Sequence, residues 1–461
     1  MAEWKDDAVG LAGRLRRREI SARAVVEAHL NRIAEVEPHL AAFITVAGEQ
    51  ALQRAADLDA APEPLGPLHG LPVAVKDLTD TAGVRTTYGS AVFRDHVPAS
   101  SDLVVERMER AGAIMIGKTN TPEFGFGAVC ANALKGPTRN PHDPRLTSGG
   151  SSGGSAVAVA TGMAPLAHGT DFGGSVRTPA GFCGVVSLRP TPGTIPSPSR
   201  ALGWDALATH GTMARTVADV GLLFDALRSP DPRDPTSGVA AFGGLRVEAP
   251  RIGATPDFGV APVAASVRNL FERTVETLAR RHGTIARAAP DCAEAIPAFR
   301  TLRAAQVHHA YGKLAGRVEP TVRWNIEAGN AISAETYLDA QAARTRLYRR
   351  FVELFEDVVI LLAPAASVQP WINEDGEVTA IDGKPLDTVI DYLAVTFIVS
   401  LVGFPVLTLP SSVTDGAIPF GVQLIARPGE EAMLLDFGAG LERELGFRHR
   451  WPSEPFHQST A

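Results

Sequence analysis

The sequence predicts an α/β fold, a sheet layered with helices, and three observations predict it. Helical patterns alternate with short apolar runs: residues 103–111 (LVVERMERA) stop at Gly112 and the apolar run 113–116 follows. Runs at 71–75, 358–362 and 404–409 are apolar and short enough to be buried strands. The composition, 45% hydrophobic and 21% charged, is that of an ordinary globular chain. At 461 residues the chain has room for roughly three average domains. No internal repeat or sharp boundary divides it, so a single domain over 1–461 is expected, with one surface seam in the Pro/Asp/Gly-rich stretch 229–244.

In chain order, Ser21 can cap a helix whose Val25, Val26, Leu30 and Ile33 return to one face. A second helical pattern, 49–60, ends in the loop APEPLGPLHG. The strand at 71–75 delivers Lys76 and Asp77 at its end; if it continues through them, period two sends the two side chains to opposite faces. Residues 124–135 form a glycine-interrupted loop, with pocket wall and surface crossing both open. Thr216 and Asp219 read as a capping box ahead of Val220, Leu223 and Leu227. After 251 the alternation resumes with RIGA, a helix near 263–281 and a strand at 284–288. Residues 293–357 are mostly helical and are expected to shape the substrate site. Their adjacent His308 and His309 diverge by about 100° on a helix, which suits them poorly as joint metal ligands. A last strand at 421–426 precedes a helix at 430–445.

The net charge of −7 leaves no basic footprint, so no nucleic acid and no membrane is expected as a partner, with a homodimer left open. The start, MAEWKDDAVGLAGRLRRREI, lacks a signal-peptide core, and three cysteines without a C-x-x-C pair indicate a reduced compartment; cytoplasmic placement is expected. The run 397–409 is interrupted by Gly403 and Pro405 and reads as a buried helix end followed by a strand. No cofactor and no metal site is expected.

Chemistry concentrates in residues 146–190, LTSGGSSGGSAVAVATGMAPLAHGTDFGGSVRTPAGFCGVVSLRP. Two Gly/Ser clusters, 149–155 and 173–175, frame an apolar small-residue segment. Their glycines suit close backbone approach and their serines supply hydroxyls. Acyl transfer needs a nucleophile, a base and donors for an oxyanion. Thr170-Asp171-Phe172-Gly173-Gly174-Ser175 can supply a nest of N–H groups and a hydroxyl. The base is missing from this stretch, and His168 lies in an apolar segment where a structural role fits better. G-x-S-x-G patterns centred on Ser151 and Ser152 imitate a nucleophile elbow, but the polar, proline-broken TRNPHDPRLTS before them is no buried strand.

Taken with LPVAVKD upstream, GTMARTVAD downstream and FGVQLIA near the C-terminus, this run resembles the amidase signature family over roughly residues 5–445. The resemblance implies a central mixed, twisted β-sheet covered by helices on both faces. It also implies a Ser-Ser-Lys triad: Ser175 as nucleophile, Ser151 as bridging serine after a cis peptide, and Lys76 as general base. Backbone N–H groups of Phe172, Gly173 and Gly174 are then the oxyanion donors. Asp171, Arg177, Ser152 and Thr170 are supports, with Arg177 near the substrate as a further option. Burial is the physical means by which a lysine becomes a base near neutral pH. The implied activity is C–N hydrolysis of a small-molecule amide substrate through an acyl-enzyme; the alternative is the glutamine-hydrolysing A subunit of a tRNA-dependent amidotransferase. Phe172 departs from the Thr or Ser common in the family and is expected to narrow the pocket.

Overall fold

The computed structural model describes residues 3–238, 250–454 and 456. Part of the seam expected at 229–244 therefore lies outside the described residues. The strands are β1 (Phe43–Val46), β2 (Pro72–Lys76), β3 (Ile114–Thr119), β4 (Leu166–Asp171), β5 (Val186–Arg189), β6 (Thr209–Ala214) and β7 (Ile252–Ala254). They continue with β8 (Ala286–Arg287), β9 (Ile360–Pro364), β10 (Ala380–Ile381), β11 (Lys384–Pro385), β12 (Val406–Pro410) and β13 (Gly421–Ile425). The helices are α1 (Ala8–Arg16), α2 (Ala22–Leu40), α3 (Gly48–Asp59), α4 (Leu103–Arg110), α5 (Gly153–Ala160), α6 (Arg177–Cys183) and α7 (Val217–Leu227). In the second half come α8 (Ala265–His282), α9 (Ala295–Tyr311), α10 (Pro320–Gly329), α11 (Ala334–Asp357), α12 (Ala394–Val402) and α13 (Glu431–Leu445).

Eleven strands of the described residues make one sheet in the order β1-β3-β2-β4-β6-β5-β12-β13-β9-β7-β8. It is mixed. β2 runs parallel to both β3 and β4, the middle from β4 through β9 is antiparallel, and β7 is parallel to β9 and β8. Helices bury both faces, and the alternation of β2 shows how. Val73 and Val75 join a core with Val104 and Val105 of α4 and Val217 and Val220 of α7. Ala74, between them, joins a separate core with Ile33 and Val36 of α2 and the whole apolar length of α5.

Local signals behave as their chemistry requires. Ser21 accepts the N–H of Ala24 at 3.1 Å and Thr216 that of Asp219 at 3.1 Å, capping α2 and α7. The run 397–409 is the end of α12 followed by β12, with Gly403 in the left-handed region at the helix end. The segment 293–357 contains α9, α10 and α11. No helix among the described residues is long and apolar enough to cross a membrane.

Candidate active site

β2 continues through Lys76, so Lys76 shares the face of Ala74 and Asp77 turns the other way. Asp77 is buried with Thr87, whose N–H donates to it at 3.0 Å, and lies 3.9 Å from Lys118. Lys76 is fully buried and reaches the N-terminus of α5, its Nζ 2.7 Å from Ser151 Oγ, 2.9 Å from Ser152 Oγ and 3.0 Å from Thr170 Oγ1. None of these neighbours is charged. Burial without a counter-ion brings the Lys76 ammonium from 10.5 down to about 7, with Cys130 and Asp171 opposing the change only weakly.

The glycines of the first cluster let α5 start against this point. A Cβ on Gly154 would sit 2.4 Å from Ala42 O and 2.5 Å from the Asn120 nitrogen, so only glycine fits there. The Gly150–Ser151 peptide is cis. The Ser152 N–H donates to Ser175 O at 3.1 Å and joins the two Gly/Ser clusters.

The second cluster turns between β4 and α6. Asp171 holds it: its carboxylate accepts N–H groups from Gly174 at 2.9 Å and Val176 at 3.1 Å, and pairs with Arg177 at 2.9 Å and Arg189 at 3.2 Å. Burial pushes the Asp171 carboxyl up, but the two guanidinium groups and these donors outweigh it and hold it well below the usual range. Arg177 is itself fully buried and donates to Thr396 O at 2.7 Å, Gln423 Oε1 at 2.8 Å and Ser400 Oγ at 2.6 Å. These contacts tie the loop to α12 and β13. Because the Gly174 N–H is given to Asp171, the loop N–H groups left without a partner among the described residues are those of Phe172 and Gly173, together with that of Ser175.

Ser151 and Ser175 open onto one cavity of about 420 Å³, walled also by Leu78, Phe124, Phe126, Phe172, His210 and Tyr311. The loop 124–135 therefore contributes pocket wall. A second arm shares Phe172 and Ser175 and adds Phe299, Arg303, Asn325, Glu377 and Tyr392. Phe172 lines both arms and packs edge-on to Phe299, centroids 5.9 Å apart. His168 is buried and lies 2.9 Å from His210 Nδ1; burial lowers both imidazoles, His210 to about 4, so they are neutral near pH 7. Sequence reasoning missed His210, Arg303, Glu377 and Tyr392. None sits in a motif, and only the helical prediction for 293–357 pointed toward Arg303.

A family model described as Amidase matches residues 24–435. A curated relative, the A subunit of a glutamyl-tRNA(Gln) amidotransferase from Thermosynechococcus vestitus, is 35% identical over 95% of this chain and 97% of its own. Among solved structures, a bacterial aryl acylamidase of the amidase signature family superposes with a TM-score of 0.87 at 26% identity, covering 96% of each chain. A chain from a vestigial protein complex bearing on the origins of an s-triazine catabolic enzyme gives a TM-score of 0.88 at 30% identity, over 97% of this chain and 100% of its own. The curated relatives correct one expectation. The absence of a nucleic-acid partner was expected from charge and a small-molecule amide from the family resemblance, yet these relatives are by name one subunit of an enzyme acting on glutamyl-tRNA. The physical reason is that net charge describes the mean field of a single chain; one member of a complex need not carry a basic footprint of its own.

Proposed function

The chain belongs to the amidase signature family of hydrolases, and from that premise we propose that it hydrolyses the side-chain amide of glutamine as the A subunit of a tRNA-dependent amidotransferase. The reading is carried by the identity to the corresponding subunits of such enzymes over nearly the full length of both chains. On this reading the chain acts as one domain in the cytoplasm, and the ammonia it releases is passed to a partner protein.

The proposed cycle uses Ser175, Ser151 and Lys76. Ser175 Oγ attacks the amide carbon while its proton passes through Ser151 to neutral Lys76; burial of Lys76 supports this role, because it leaves much of the amine unprotonated near pH 7. The oxyanion that forms is met by the free N–H groups of Phe172 and Gly173, held by a loop that Asp171 anchors from behind. The C–N bond then breaks, the relay returns the proton to nitrogen, and ammonia leaves an ester on Ser175. Water repeats the sequence, its proton going to the relay and its oxygen to the acyl carbon, and the acid departs from regenerated Ser175. Ser152 and Thr170 keep Lys76 in place.

A second reading, hydrolysis without a partner, draws on the likeness to the aryl acylamidase. Assays of the chain alone and with the other amidotransferase components, glutamyl-tRNA and ATP separate the two. Glutamine turnover that rises on assembly supports the amidotransferase reading. Rapid cleavage of aryl amides by the chain alone, with no glutamine turnover in the assembly, overturns it.

A further inference from the structure

Among the described residues five arginines are buried, and four have their guanidinium groups engaged by carboxylates or by pairs of carbonyls within the protein. Arg177 and Arg189 share the carboxylate of Asp171, Arg32 pairs with Glu35 and Glu454, and Arg215 donates to the carbonyls of Val159 and Asp6. Arg303 is the exception. It is 8% exposed, donates from Nη1 to Asn325 Oδ1, and has no carboxylate at ion-pair distance among the described residues. Its guanidinium lies 5.0 Å from the centre of the Phe126 ring, which covers one side of the plane but accepts none of the remaining N–H groups. Its remaining N–H groups have no protein partner among the described residues and are not enclosed, so they are open to whatever occupies the cavity that Arg303 lines.

Arg303 lines the arm of the cavity that contains Ser175. The same arm carries a further donor without a partner: Tyr392 is 1% exposed, and its hydroxyl has no hydrogen-bond partner among the described residues. Glu377 stands in the same wall with its carboxylate accepting the Ala128 N–H at 2.9 Å. The arm thus offers a cation and a neutral O–H donor, and an anion that is already partly engaged.

We propose that Arg303, assisted by the Tyr392 hydroxyl, anchors a carboxylate on the part of the substrate retained by Ser175, so that the enzyme takes amides whose acyl chain ends in an acid. The planar fork of arginine matches a carboxylate through two parallel N–H donors, and Asn325 Oδ1, in the same wall, accepts from Nη1 and fixes the orientation of the fork. Glu377 sets the complementary limit: a second carboxylate is repelled, whereas an ammonium beside the first is accepted. L-glutamine meets both conditions. The inference rests on the reading of Ser175 as the nucleophile and deepens the glutamine assignment.

The test uses the full chain and a fluorophosphonate that labels Ser175, with amides added as competitors. Butanamide, 5-amino-5-oxopentanoate and L-glutamine form a series that adds first the carboxylate and then the ammonium. In the wild type, 5-amino-5-oxopentanoate is expected to slow labelling at roughly 10- to 100-fold lower concentration than butanamide. Arg303→Gln should abolish that gap by weakening the acid alone, with butanamide unchanged. Tyr392→Phe, which keeps the ring, should narrow the gap several-fold and serves if Arg303→Gln fails to fold. Equal potency of the two amides in the wild type, or an Arg303→Gln variant that weakens both alike, overturns the proposal. A persistent gap with L-glutamine unable to protect leaves the carboxylate anchor standing and overturns the glutamine reading. Label on a residue other than Ser175 overturns the premise common to both.

Discussion

Replacing Lys76 with methionine keeps a straight side chain of similar length in a fully buried site and removes the amine. The ordinary lysine value of 10.5 falls to about 7 at this position. At 1.36 kcal/mol per pKa unit, the interior disfavours the ammonium by on the order of 5 kcal/mol. At pH 7.5 a lysine in water is neutral in about one molecule in a thousand, and Lys76 in about three of four. Loss of this base should lower the rate of Ser175 acylation by roughly 10²- to 10⁴-fold. The wild-type rate should climb with pH to an inflection near 7 and stay level above it, and the variant should lose that inflection. Stability should move the other way. Between about pH 7 and 10.5 the unfolded chain holds a proton that folded Lys76 has released, so this group's contribution rises with pH and its deficit is complete below about 7. Removing a deficit of about 5 kcal/mol, together with three hydroxyl contacts worth about 1 kcal/mol each, leaves Lys76→Met roughly 2 kcal/mol more stable at pH 6. That advantage should reverse toward pH 10. Labelling rates and urea unfolding across pH 6–10 measure both effects. A variant with wild-type acylation and an unaltered inflection near 7, or one whose stability difference does not depend on pH, would contradict a buried, neutral Lys76 as the base.

Asp171→Asn removes the carboxylate shared by two fully buried arginines and should destabilise the chain by about 3–5 kcal/mol, measured by denaturant unfolding. Gly174→Ala should abolish Ser175 labelling, because its Cβ would lie 2.4 Å from Thr396 Oγ1 and its φ is 126°; labelling at the wild-type rate would contradict this account of the loop. Glu442 carries a carboxyl that burial raises to about 7, so its contribution to stability falls as pH rises from its unfolded value through about 7. Glu442→Gln should therefore be the more stable form at pH 8, with the difference vanishing at pH 4 in thermal melts.

Much of this site was legible in the sequence because its residues sit where local rules decide. Strand period two separated Lys76 from Asp77, and the structure gives Lys76 the serines and Asp77 the Thr87–Lys118 cluster. The glycines at 153 and 154 announced close backbone approach, which Ala42, Asn120 and Cys130 now explain. The role of Asp171 was readable only in outline. Its neighbour Arg177 is close in sequence, but its other partner, Arg189, arrives on β5, and Thr396, Ser400 and Gln423 complete the shell from α12 and β13. The arm containing Arg303, Tyr392 and Glu377 was legible only in the helical expectation for 293–357 that covers Arg303, since Tyr392 and Glu377 come from distant positions that no motif links. The partner expectation failed for a different reason: composition averages over a whole surface, and assembly depends on local faces.

The most direct test is to quench the enzyme during turnover of its amide substrate and map the acyl adduct by peptide mass. An acyl ester on Ser175 is expected, lost in Ser175→Ala and accumulating more slowly in Lys76→Met. An adduct on Ser151, on Ser152 or on any other side chain, or turnover that proceeds undiminished in Ser175→Ala, would contradict it.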